Sequence, residues 1–183
     1  MPTPLNILFA EDSEDDVELI VGELRRTGFS PQWHRVETEP DFLAGLEKRP
    51  DIVLADYSMP QFSGLRAAEL TLASELNIPF ILISGTVGED MAVEAMKLGA
   101  TDYFLKDRLA RLGKAVEQAL EKKQLRDQQK RAEEAMHNQL EELQRWQETV
   151  LGREERILEL KHEVNELLAQ LKQPARYFNP DNV

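Results

Sequence analysis

Four short apolar runs in this chain end on residues able to do chemistry. Leu5–Ala10 (LNILFA) leads into Glu11 and Asp12, Ile52–Ala55 into Asp56, Phe80–Ile83 into Ser84, and Tyr103–Leu105 into Lys106. If these ends converge, three carboxylates, a hydroxyl and an ammonium share one small site. Clustered carboxylates repel unless a cation joins them. A hard divalent ion with oxygen ligands is the natural solution, and Mg²⁺ keeps several waters and accepts a phosphate oxygen as well. Lys106 supplies a point positive charge for a carboxylate or a phosphoryl group. A carboxylate beside Mg²⁺ can attack phosphorus and give an aspartyl phosphate, with the metal and the lysine neutralising the charge on the moving group.

Convergence requires a particular arrangement of elements. Apolar strand-like runs recur at residues 5–10, about 32–36, 52–56, 80–84 and 102–105, separated by helix-like segments. Ser13 is an N-cap for SEDDVELIVGELRRTG, with acids in the first turn and Gly28 as the stop. Pro40, after Glu39, stands where a proline at the first helical position stands. Gly64 opens GLRAAELTLASEL, and Glu89 opens EDMAVEAMKLG, which Gly99 stops. Five such βα repeats predict a doubly wound parallel α/β sheet, whose functional groups gather beyond the carboxyl ends of its strands. The second strand is the least hydrophobic, as suits an edge.

From about Arg108 the pattern changes. Residues 1–107 hold 8 Lys and Arg against 20 Asp and Glu, whereas residues 108–183 hold 14 of each, so the whole net charge of −12 belongs to the first part. The second part is rich in Glu, Gln, Lys, Arg, Leu and Ala and carries a heptad frame through 122–171. Val150, Ile157 and Val164 fall at a positions, Leu160 and Leu167 at d positions, the combination that favours a parallel two-stranded coiled coil. A helix of this length spans about 75 Å. Gln129, Gln139 and Arg153 weaken the seam, and Gly152 offers a place to bend. The expected organisation is therefore a domain at 1–121, a dimeric coiled-coil helix at 122–172 and a flexible tail at 173–183.

Several function classes are excluded or disfavoured. There are no cysteines, hence no disulfides, thiol catalysis or zinc-thiolate site. His34, His137 and His162 are too scattered for a histidine metal centre. No apolar stretch is long enough for a membrane span, and MPTPLNILFAED lacks the basic start of a signal peptide; a cytoplasmic setting fits. The basic stretch KKQLRDQQKR at 122–131 before heptads has a faint likeness to a basic-zipper DNA binder. The acidic domain ahead of it and the poor seam behind it argue against DNA. Glu11-Asp12 is not the D-x-D-x-T of aspartate-nucleophile phosphatases.

FAED at 9–12, DYSMPQFSG at 56–64, SGT at 84–86 and DYFLK at 102–106, in that order and spacing, resemble the receiver domain of bacterial two-component response regulators over residues 5 to about 120. The resemblance implies a flavodoxin-like sheet of order 2-1-3-4-5. It implies that Asp56 accepts the phosphoryl group, that Glu11, Asp12, Asp56 and the Ser58 backbone carbonyl hold Mg²⁺, that Ser84 and Lys106 contact the phosphoryl group, and that Tyr103 swings inward on activation. The phosphodonor would be a sensor histidine kinase or a histidine phosphotransfer protein. No enzyme activity is expected beyond Mg²⁺-dependent self-phosphorylation and slow self-dephosphorylation. One departure is Asp107, where receivers usually carry proline after the lysine. SGTVGEDMAVEAMKLGATDYFLKDRL is similar to receivers found beside PAS domains and histidine kinases, and GREERILELKHEVNELLAQL resembles their connector helices. QPARYFNPDNV is too short for an output domain, so the expected output is a change of association carried by the coil to a partner protein. A phosphorelay shuttle or phosphate sink, with the coil as a constitutive dimeriser, is the alternative.

Overall fold

The computed structural model describes the backbone of residues 2–86 and 89–177 and, within that span, every side chain except those at 89, 90, 148–151 and 155. Among these residues, strands β1 (Thr3–Ala10), β2 (Phe29–Val36), β3 (Ile52–Asp56), β4 (Phe80–Ser84) and β5 (Asp102–Leu105) alternate with helices α1 (Glu14–Arg26), α2 (Glu39–Glu47), α3 (Gly64–Ala73) and α4 (Glu89–Lys97). A 3₁₀ turn at Leu109–Arg111 precedes α5 (Leu112–Gln170). The sheet is parallel throughout, in the order β2-β1-β3-β4-β5. This is the flavodoxin-like order expected.

The strand sequences explain the layering. Side chains alternate across a sheet with period two. On one face Leu8, Ala10, Val53, Ala55, Phe80 and Leu82 pack against Phe42, Leu46, Ala67, Ala68 and Ala95 of the helices. On the other, Leu5, Ile7, Phe9, Ile52, Leu54, Ile81 and Ile83 pack against Val17, Ile20, Val21 and Leu24 of α1 and Leu112 and Val116 of α5. Both faces being covered, β3 and β4 are buried at every position, which is why they read as unbroken apolar runs. β2 lies at the edge, buried only at Val36, and it accommodates Pro31 there.

Some boundaries differ from the expectation. β2 begins at Phe29 rather than near Gln32, because Phe29 already pairs with Thr3. In α2 the cap is Thr38, whose hydroxyl accepts the Asp41 N–H at 3.4 Å, so Pro40 is the second helical residue. α3 stops at Ala73, ahead of Glu75 and Asn77 in the left-handed region (φ 55° and 52°). Gly152 stays inside α5.

The chain divides into two compact units, Met1–Gln128 and Gln129–Val183, and α5 contributes to both. The first unit runs past the expected boundary at 121. Lys123 Nζ still donates to the Asp51 carbonyl (3.3 Å), and Asn77 Nδ2 to Asp127 Oδ1 (2.7 Å). In the second unit Ile157, Leu160, Val164 and Leu167 are exposed on the single chain; Val150 lies outside the described side chains. Residues 173–177, expected as flexible tail, turn back on the helix. Lys172 adopts a left-handed φ of 55° and the Gln173 N–H reaches the Leu168 carbonyl (2.9 Å). Asn165 then grips the returning chain, donating to the Tyr177 carbonyl and accepting the Arg176 and Tyr177 N–H groups at 2.8, 3.0 and 3.1 Å.

One glycine ties the fold to the loop after β3. A Cβ at Gly64 would overlap the Asp56 carbonyl oxygen and lie 2.6 Å from Leu82 Cδ1. Gly64→Ala is therefore expected to lower stability by about 2 kcal/mol or more, since the obstructing group is backbone and cannot rotate away. Gly22→Ala, with open space around it in the middle of α1, should instead stabilise by roughly 0.5–1 kcal/mol. Urea midpoints of the two variants check both signs.

Candidate functional site

Strand order reverses between β1 and β3, whose helices leave on opposite faces, and the crevice at their carboxyl ends is where such sheets place their chemistry. Four of the expected residues arrive there on adjacent strands. Glu11 follows β1, with its N–H on the Val36 carbonyl (3.2 Å). Asp56 ends β3 and Ser84 ends β4. Lys106 follows β5, its N–H on the Ser84 carbonyl (2.9 Å). Glu11, Asp56 and Ser84 are buried, whereas Asp12 is exposed.

The Lys106 ammonium is the centre of the arrangement. Its Nζ lies 2.9 Å from Glu11 Oε2, 3.1 Å from Asp56 Oδ1 and 2.6 Å from Asp16 Oδ2. The other Asp56 oxygen accepts the Ser58 N–H at 3.1 Å, and the other Glu11 oxygen accepts the Ser13 N–H at 3.1 Å. Each buried carboxylate is thus held at both oxygens. Burial pushes the Glu11 carboxyl up from 4.5 to about 7, and its hydrogen bonds from Lys106 and Ser13 only partly offset this. For Lys106 burial works against the charge, but the hydrogen bonds to Asp16, Glu11 and Asp56 outweigh it, and the ammonium is held above the ordinary lysine range.

Glu11, Asp12 and Asp56 each offer a carboxylate oxygen, all within 4.8 Å of one another. An all-oxygen set of this charge fits a hard divalent cation such as Mg²⁺, and Asp12 is its exposed member. The fourth ligand implied by the resemblance, the Ser58 carbonyl, belongs to the residue whose N–H orients Asp56.

Ser84 and Tyr103 meet at a common partner. Ser84 Oγ accepts the Thr86 N–H (3.2 Å) and donates to the Thr86 carbonyl (3.1 Å). The Tyr103 hydroxyl donates to that same carbonyl at 2.9 Å. The loop that lacks the usual proline is closed by the Arg108 N–H on the Leu105 carbonyl (2.9 Å), and Asp107 is exposed. On the other side, Phe62 of the loop after Asp56 packs on Phe42 with ring centroids 5.1 Å apart.

Two residues of the site were not foreseen. Asp16 reads in the sequence as one of three acids in the first turn of α1, a helix-dipole feature. The signal that marks it is position: with Ser13 as cap, Asp16 is the third residue of α1, one turn above Glu11-Asp12. Arg35 also contributes, its guanidinium donating to the carbonyls of Glu11 (3.1 Å) and Asp12 (3.2 Å) and pairing with Glu37. A lone arginine on an edge strand gives no such hint.

The model of the response regulator receiver domain family matches residues 7–117. The methanogenesis regulatory protein FilR1 of Methanothrix harundinacea (strain 6Ac) is 32% identical over 127 residues, which cover 65% of this chain and 28% of FilR1. The transcriptional regulatory protein FixJ of Rhizobium meliloti (strain 1021) is 31% identical over 105 residues, 57% of this chain and 50% of FixJ. The chain thus spans half or less of the length of these relatives. A solved response regulator receiver domain protein from Clostridium thermocellum is similar at a TM-score of 0.58 and 25% identity, covering 66% of this chain and 98% of that one.

The Glu11 shift makes stability depend on pH. With its carboxyl raised from 4.5 to about 7, the folded chain keeps a proton that the unfolded chain releases. In metal-free protein this group's contribution is full below about pH 4.5, declines as pH rises, and is lost above about pH 7. The expected loss is of order 3 kcal/mol. Urea unfolding with a chelator at pH 5 and pH 8 checks it: Glu11→Gln should flatten the decline, and equal slopes for wild type and variant would refute the assignment.

Proposed function

The chain belongs to the response regulator receiver domain family, and from that membership we propose that Asp56 accepts a phosphoryl group from a sensor histidine kinase or a histidine phosphotransfer protein. The observation that carries this reading is the convergence of Glu11, Asp12, Asp56 and Lys106 at the carboxyl edge of the sheet. The Ser58 N–H and Lys106 hold the two oxygens of Asp56 in fixed directions, which removes orientational freedom ahead of attack. A carboxylate oxygen forms the bond to phosphorus as the donor's P–N bond breaks, and the electron pair leaves with the imidazole nitrogen. Glu11, Asp12, Asp56 and the Ser58 carbonyl would hold Mg²⁺, which would supply positive charge for the phosphoryl oxygens. Lys106 stabilises the same charge from the other side.

The reading extends to output. Ser84 leaves Thr86 and turns its hydroxyl toward the phosphoryl group, and Tyr103, which shares the Thr86 carbonyl, moves inward. The phosphorylated state signals through a parallel homodimeric coiled coil whose seam includes Val150, Ile157, Leu160, Val164 and Leu167 and engages a partner protein. The exposed Ile157, Leu160, Val164 and Leu167 support this, since an apolar stripe of that length left in water favours association. Among the described residues no helix is long and apolar enough to cross a membrane. The setting is the cytoplasm, the chemistry is limited to Mg²⁺-dependent self-phosphorylation from a phosphodonor and slow self-dephosphorylation, and the receiver is of the PAS- and kinase-associated type.

Light scattering on a sizing column, in Mg²⁺ with and without beryllofluoride, tests the proposal. Wild type is expected to change mass or hydrodynamic size on adding the phosphoryl mimic, and Asp56→Asn to be indifferent. Dimers of both that never change would turn the coil into a constitutive dimeriser and favour a phosphorelay shuttle or phosphate sink.

A further inference from the structure

The Lys106 ammonium has three protons, and three carboxylates face it. The shortest approach, 2.6 Å, is from Asp16 rather than from Glu11 or Asp56. Asp16 belongs to no core. Its side chain is about one-third exposed, against 2% for Glu11 and 8% for Asp56. Nor does α1 need that carboxylate, because the cap uses the Asp16 backbone N–H on Ser13 Oγ (3.3 Å).

A phosphoryl oxygen can therefore take a hydrogen bond from Lys106 only if one carboxylate yields. Glu11 is buried and pinned by the Ser13 N–H, and Asp56 itself carries the phosphoryl group. Asp16 is the one that can return to water at low cost. Resting on the phosphoacceptor reading above, we infer that Asp16 is a positioning residue that competes with an Asp56-bound phosphoryl group for Lys106 and so sets how readily the site fills. The charge has two opposite consequences. It repels an incoming phosphoryl anion and withholds its lysine, and it adds to the negative field that attracts a divalent cation.

That opposition provides a test that general damage to the fold cannot mimic. Beryllofluoride binding to the full chain is followed by ¹⁹F NMR at saturating Mg²⁺, and Mg²⁺ binding alone by calorimetry. Asp16→Asn should take beryllofluoride with half-saturation on the order of five- to tenfold lower, and Mg²⁺ about threefold more weakly. Asp16→Ser must give the same pair of shifts, and Asp16→Glu should restore wild-type values. Asp15→Asn removes an equal charge from the same exposed turn and should leave both near wild type. Unchanged or weaker beryllofluoride binding by Asp16→Asn, while wild type binds and Asp56→Asn does not, overturns the inference. Equal shifts in Asp15→Asn and Asp16→Asn overturn it as well, by reducing it to net charge. If wild type itself takes no beryllofluoride, the phosphoacceptor reading fails first, and the inference with it.

Discussion

Mutual repulsion among Glu11, Asp12, Asp16 and Asp56, relieved by the single ammonium of Lys106, is the constraint on which the first unit depends. A parallel sheet delivers these groups side by side because all its strands end at the same edge. Two of the carboxylates are buried, where an unpaired charge is costly. Lys106 satisfies one oxygen of each, and a backbone N–H satisfies the other. The arrangement still carries more negative than positive charge. That residual imbalance is what a divalent cation would relieve; the elevated Glu11 carboxyl owes most to its burial and least to the neighbouring Asp56 charge.

Holding such a site requires a stiff frame. β3 and β4 lie at the centre of the sheet, buried on both faces, so the ends that carry Asp56 and Ser84 cannot drift. The chain must nevertheless leave β3 through a loop tight enough to present the Ser58 N–H to Asp56. Gly64 makes this possible, because the Asp56 carbonyl occupies the space a side chain would need. Phe62, packed on Phe42, anchors the same loop to α2. The buried apolar pattern and the acidic edge are thus two aspects of one design: the first fixes positions to within the tolerance that the second demands.

Most of this was legible in the sequence, for a definite reason. Strands buried on both faces must be apolar, so an Asp, Ser or Lys at their ends stands out, and Glu11, Asp12, Asp56, Ser84 and Lys106 could be named from type and position alone. Asp16 was hidden because helix-first-turn acids are common; its place one turn above Glu11-Asp12 is the only local mark it carries, and its contact with a lysine 90 residues away leaves none. Arg35 was hidden for a related reason: its partners are backbone carbonyls, which every residue possesses. The start of β2 and the end of α3 were misplaced where pairing with β1 and left-handed residues decided the boundary rather than hydrophobic period. The turn at residues 173–177 escaped notice because Asn165 lies within an exposed helix, where asparagine ordinarily faces solvent.

The Thr86 carbonyl joins Ser84 at the site to Tyr103 on β5. Ser84 and Tyr103 both donate to it, so a change at one alters the bond available to the other. Each such hydrogen bond contributes roughly 1 kcal/mol net. Exchanging two or three of them, together with the Lys106–Asp16 pair, is worth a few kcal/mol, which is the size of ordinary allosteric coupling. A site built on one strong, irreplaceable bond would be trapped in a single state. In the proposed reading, Lys106, Ser84 and Tyr103 each hold a partner they can relinquish, and a phosphoryl group that supplied better partners would shift the site toward a second state.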